Sequence, residues 1–287
     1  MGINLESRTI QRLYQQHPVS SWSREPTGKR GETPVRIHAL GRFSVQTHHY
    51  PIALTQLRQQ KPFELLQALI AFGGRDVHRE TLAAALWPDA DGDQAQNTFD
   101  VTLHRLRHIF GIKNLFMLHD CKLTLSSQMA WVDVWAFERT VNFNERLLVR
   151  ARDPAILRQL SRSSERLLNL YQGAFLEREA VRPWMLSLRE RLRSKLLRFI
   201  LDSGKVWEAR REWGQAIRLY QKGLEVEPLG EALYQQLIIC YRDSGRFSEA
   251  INTFHQCRKQ LAEQLHIQPS PVTFNLYQSL KSRPTAS

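Results

Sequence analysis

DQAQNTFDVTLHRLRHIFG, residues 93–111, decides how the rest of the chain is read. The stretch predicts one helix of about 18 residues, roughly 27 Å long at 1.5 Å per residue. Asp93 and Gln96 have capping-box spacing at its start, and Gly111 suits its stop. Phe99, Leu103, Leu106 and Phe110 recur at intervals of three and four residues, which makes one apolar stripe for a core. The other side is expected to carry Thr98, Val101, Thr102, Arg105 and, in the last turn, His108. A guanidinium, hydroxyls and methyl groups are what reads base edges in a major groove. An ordinary amphipathic surface helix has the same pattern, so the neighbouring stretches must decide.

Upstream, VRIHALGRFSVQT (35–47) alternates with period two and breaks at Gly41, which predicts a small sheet. KPFELLQALIAFGG (61–74) reads as a helix with Pro62 in its first turn and a Gly pair at its end. RETLAAALWP (79–88) reads as a second helix with Leu82, Ala85 and Leu86 inward, stopped at Trp87-Pro88. Downstream, LFMLHDCKLTLS (115–126) has two short apolar runs around His119-Asp120, a hairpin. Sheet, three helices and hairpin in this order describe an α+β winged helix-turn-helix with an added N-terminal sheet.

The run from Lys61 to Gly111 closely resembles the OmpR-type DNA-binding domain of the SARP (antibiotic regulatory protein) family, and WVDVWAFE (131–138) is similar to that family's junction. Family members continue into a helical bacterial transcriptional activator domain. YQGAFL (171–176), RPWMLSLRERLR (182–193) and HIQPSPVTFNLYQSL (266–280) resemble its marker segments. One departure is His78, where a Ser usually caps the second helix. The C-terminal half supports the same reading without the resemblance. EWGQAIRLY (212–220) and RFSEAINTF (246–254) align at an offset of 34 residues, pairing Trp213 with Phe247, Ala216 with Ala250, Ile217 with Ile251 and Tyr220 with Phe254. That period, with a small Ala and an aromatic four residues later, is the tetratricopeptide signature, and Pro228 closes the first repeat. Two repeats, about 197–230 and 231–264, need flanking helices to complete a core. The expected fold is therefore mainly α: residues 1–34 a poorly ordered extension with a short helix over about 5–16, 35–132 the winged helix, and 133–284 an all-α tetratricopeptide-like domain.

The formal net charge of +12 favours an anionic partner, nucleic acid before membrane. Residues 35–135 nevertheless hold 10 Lys and Arg against 9 Asp and Glu, while residues 136–287 hold 25 against 16. Charge therefore does not locate the DNA site. Cys121, Cys240 and Cys257 have no zinc or disulfide spacing. No apolar run approaches a membrane span and no signal-peptide core is present, so a soluble cytoplasmic chain without membrane attachment is expected. The sequence carries no P-loop, HExxH or GxSxG, so neither an enzyme nor a cofactor is expected. The Arg-rich stretch 139–198 is read mainly as the wet face of helices, with contact to DNA phosphates or an acidic partner as the alternative.

The resemblance implies residue roles. The helix of 93–111 would enter the major groove, with Arg105 contacting a base beside Thr98, Val101 and Thr102. Asn97, Arg107 and Lys122 (the last on the wing) would take phosphates. Asp89 and Asp91, in the turn before that helix, would meet RNA polymerase through its sigma or alpha subunit; turn formation is the plainer role for them. Direct-repeat operators imply a possible homodimer on double-stranded DNA. No receiver domain precedes the winged helix in this sequence, so a signal is expected through the helical half, the extension or protein abundance. The rival functions are an interaction scaffold whose winged helix binds protein, and a repressor acting by promoter occlusion.

Overall fold

The computed structural model describes residues 33–47 and 60–281, and the N-terminal extension with its expected helix lies outside them. The chain divides into two compact units, Met1–Arg139 with Leu170–Glu190, and Thr140–Asn169 with Arg191–Ser287.

In the first unit, strands β1 (Val35–His38) and β2 (Ser44–Thr47) pair antiparallel, with Ile37 opposite Val45. Their alternation puts Val35, Ile37 and Val45 in the core. A third strand of this sheet, β6 (Ala130–Val132), lies parallel to β1. Asp133 follows it and opens helix α4 (Asp133–Val149). Its carboxylate is buried and accepts the N–H groups of Ala39 at 2.8 Å, Leu40 at 2.9 Å and Val134 at 2.7 Å. Burial raises this carboxyl above its usual value against the opposing pull of those donors.

YQGAFL also belongs to this sheet region. The Gly41 N–H donates to the Ala174 carbonyl at 2.9 Å, and the Leu176 N–H donates to the Ala39 carbonyl at 2.8 Å. Arg189 fixes the segment by donating to the Phe175 carbonyl at 2.7 Å and the Leu176 carbonyl at 2.5 Å. A segment grouped by sequence with the helical half is thus hydrogen-bonded to the N-terminal sheet.

Helix α1 (Gln60–Ala71) ends in Gly73 and Gly74, at φ 102° and 77°. A side chain at Gly74 would run into the Trp135 ring, so both backbone angle and space call for glycine there. Helix α2 (Arg79–Leu86) starts at His78 with no side-chain cap, in keeping with the missing Ser. Its buried face is Leu82, Ala83 and Leu86, not Ala85, which is half-buried; α2 is only 8 residues long, and small positional shifts rotate its narrow face. Helix α3 (Gly92–Phe110) is the organising helix. The capping-box expectation fails here. Asp91 stands at the N-cap without a side-chain cap bond, and the Gln96 side chain instead accepts from Arg79. Gly111 ends the helix in the left-handed region at φ 62° as expected. The hairpin follows as β4 (Phe116–His119) and β5 (Lys122–Leu125). Asp120 and Cys121 turn it at φ 47° and 57°, the type I′ geometry that matches strand twist. A two-residue strand, β3 (Val77–His78), pairs with the other edge of β5.

The second unit takes the later residues of α4, then α5 (Pro154–Leu170), the later residues of α6 (Pro183–Glu208), α7 (Trp213–Val226), α8 (Glu231–Asp243), α9 (Phe247–Leu265) and α10 (Pro271–Lys281). The 34-residue correspondence is physical. Ala216 and Ala250 are both fully buried, as are Tyr220 and Phe254. Arg211 and Gly245 occupy the same turn of successive repeats at φ 60° and 79°. Helix α7 packs on α8, α8 on α9, and α10 covers α8 and α9. Tyr277 of α10 stacks flat on Phe254 with ring centres 4.0 Å apart. Among the described residues, no helix is long and apolar enough to cross a membrane.

Candidate nucleic-acid interface

Helix α3 is held by its apolar stripe. Phe99, Leu103, Leu106 and Phe110 are all buried, and α3 packs on α1 and α2. A run of rings continues this support: Phe43 to Phe63 at 6.2 Å, Phe63 to Phe110 at 6.4 Å, and Phe110 to Phe116 at 5.3 Å. The rings join the first sheet, α1, α3 and the hairpin into one core, which leaves the far side of α3 in solvent.

That far side differs from the expected one by a rotation. Gln94, Asn97, Val101, His104, Arg105 and His108 are exposed, Val101 by 51%. Thr98 is half-buried and donates its hydroxyl to the Gln94 carbonyl at 2.8 Å. Thr102 is not on this face at all. It is only 5% exposed, and its hydroxyl donates to the Thr98 carbonyl at 2.7 Å. Threonine's short hydroxyl is readily satisfied by the preceding helical turn, so it sits inside without an orphaned donor. The base-contact role expected of Thr102 is therefore corrected: it is a packing residue. Gln94 and His104 take the space on the row beside the expected Val101, Arg105 and His108, and a helical wheel centred on Val101 would have found them.

Arg105 is exposed and makes no hydrogen bond or ion pair among the described residues. Arg107 is exposed but tethered: its Nε and one terminal nitrogen donate to the Phe116 carbonyl at 3.2 and 2.9 Å. Asn97 is exposed near the helix start, and Lys122 is half-buried at the start of β5, paired across the hairpin with His119. The one acidic group in the middle of the helix, Asp100, has Arg79 of α2 at 3.8 Å. This pair lowers the local negative field on the exposed face of α3. Asp89 and Asp91 are exposed on the turn between α2 and α3, and Asp91 is not spent as a helix cap.

Compared with known proteins, residues 132–281 match the bacterial transcriptional activator domain, more than half of the chain. Among solved structures, the chain is similar to Mycobacterium tuberculosis EmbR in complex with a low-affinity phosphopeptide, at a TM-score of 0.65 and 20% identity. The likeness covers 88% of this chain but 66% of that one, and at this identity it concerns the fold. Comparison with curated protein sequences finds no match. With the activator-domain match over more than half of its length, the chain belongs to the bacterial transcriptional activator domain family, and its winged helix ahead of tetratricopeptide-like repeats is the fold expected of a SARP-type regulator.

Proposed function

We propose that the protein is a sequence-specific double-stranded DNA-binding activator that recruits RNA polymerase. The carrying observation is the solvent-facing row of α3, with Arg105 free of partners beside Val101 and Asn97. A free guanidinium pairs bidentately with guanine and discriminates by about 1–3 kcal/mol, while the Val101 methyls suit thymine. Thr98 lies at the edge of the row, where its methyl meets a base and its hydroxyl stays with the helix. Asn97, Arg107 and Lys122 take phosphates on either side, which sets register without reading sequence.

Asp89 and Asp91 are assigned to polymerase, through its sigma or alpha subunit. Support comes from their exposure on one turn and from Asp91 making no cap bond, so both carboxylates are free to meet a basic surface. Two protomers on direct repeats would place two such turns along one promoter. The reading implies a cytoplasmic, nucleoid-associated, non-enzymatic protein. Selecting bound sequences from random duplexes tests it: a defined motif is expected, and unselective retention would contradict it.

A further inference from the structure

The second unit holds a groove that the DNA reading does not use. It lies between α4 and α5, has a volume of about 580 Å³, and is lined by Phe143, Leu147, Val149 and Ile156 together with Arg146, Arg150 and Gln159. Val149, the last residue of α4, is 87% exposed, whereas Val134, Phe137, Val141 and Leu147 of the same helix are buried. On α5, Arg158, Arg162 and Arg166 follow one another at four-residue spacing and are all exposed. Residues 140–169 contain six arginines against Glu145, Asp153 and Glu165. Two of those three acids are already engaged: Glu145 pairs with Arg198 at 3.1 Å, and Asp153 accepts the Ala155 N–H at 2.7 Å. Arg146, Arg150, Arg158, Arg162 and Arg166 pair with nothing among the described residues. Like charges four apart on a helix repel, so these rows weaken α4 and α5 in the isolated chain. An anionic occupant would relieve that repulsion.

We propose that this groove docks an acidic segment of a partner protein, with carboxylates on Arg146 and Arg150 of its lining and an apolar side chain in the groove. Charge complementarity calls for the acid, and the Phe143, Val149 and Ile156 lining calls for the apolar group. Duplex DNA satisfies only the first demand, because its phosphate rim has nothing apolar to fill the groove. The site involves none of the residues assigned to DNA, so the two readings fail separately.

The test uses the full chain and fluorescence anisotropy at physiological salt with three probes: a labelled amphipathic Glu/Leu peptide, an all-Glu peptide of equal charge, and an unselected DNA duplex. The Glu/Leu peptide is expected to bind about tenfold more tightly than the all-Glu peptide. R146A with R150A should weaken it about tenfold and leave duplex affinity unchanged, since two ion pairs at the groove are lost together. Val149→Ser, at a site too exposed to unsettle folding, should abolish the preference for the Glu/Leu peptide. Equal binding of the two peptides, absence of binding, or arginine variants that lose the duplex instead would each overturn the proposal.

Discussion

The Arg107 guanidinium, on α3, donates to the Phe116 carbonyl at the start of β4, 3.2 Å from Nε and 2.9 Å from a terminal nitrogen. One side chain therefore ties the helix proposed to read DNA to the wing beside it. The remaining guanidinium N–H groups are the ones available for the phosphate contact proposed above. Arg107→Ala should lower stability by about 1.5–3 kcal/mol, the worth of hydrogen bonds to a charged group. It should also weaken all duplex sequences alike, with the slope of log K against log salt falling by about 0.9. Arg107→Lys separates the two roles. It keeps the charge and so the salt slope, but it cannot reproduce the two-nitrogen donation, and melting should still fall.

Activation is expected to depend on the turn before α3. Asp89→Asn combined with Asp91→Asn removes two exposed carboxylates and no cap bond. Transcription in a reconstituted system should drop while duplex affinity stays level. Equal loss of DNA binding would assign the turn to DNA instead.

In the second unit, Gly204 provides a sign test. Glycine to alanine inside a helix ordinarily stabilises by about 0.5–1 kcal/mol. A Cβ at Gly204, however, would overlap the ring of Tyr220, which is fully buried and whose hydroxyl donates to Glu208. Overpacking costs about 1–3 kcal/mol, so the clash outweighs the helix gain. Gly204→Ala should lower the melting temperature; a rise would mean that the repeat core is looser than this packing.

The three thiols should react unequally. Cys240 and Cys257 are buried, and burial raises both, Cys257 to about 12, whereas Cys121 is exposed at the hairpin tip. The thiolate is the reactive form, so native protein near neutral pH should take one maleimide, at Cys121, and unfolded protein three. Bound DNA should slow labelling at Cys121 if the wing lies against the duplex.

The parts legible in sequence were those built from local spacing. Phe99, Leu103, Leu106 and Phe110 lie three or four apart, and that alone places the buried side of α3. The offset of 34 residues likewise exposed the repeats, down to the turn shared by Arg211 and Gly245. What escaped the sequence depends on partners far along the chain. The bonds of Gly41 with Ala174 and of Leu176 with Ala39 join segments more than 130 residues apart, and no local pattern announces them. The edge of the exposed row escaped for another reason. Threonine suits either side of a helix boundary, so residue type alone did not separate Thr102, which turns inward, from His104, which stays out.

Base reading by Arg105 is the central claim, and one comparison tests it most directly. A duplex selected from random sequence is titrated with the wild-type chain, Arg105→Ala and Thr102→Val, and every single-base variant of the site is then measured. Arg105→Ala should lose about 1–3 kcal/mol on the selected duplex and relax preference at one base position, while Thr102→Val keeps both affinity and preference. Unchanged discrimination in Arg105→Ala, or a shift of base preference in Thr102→Val, would contradict the account.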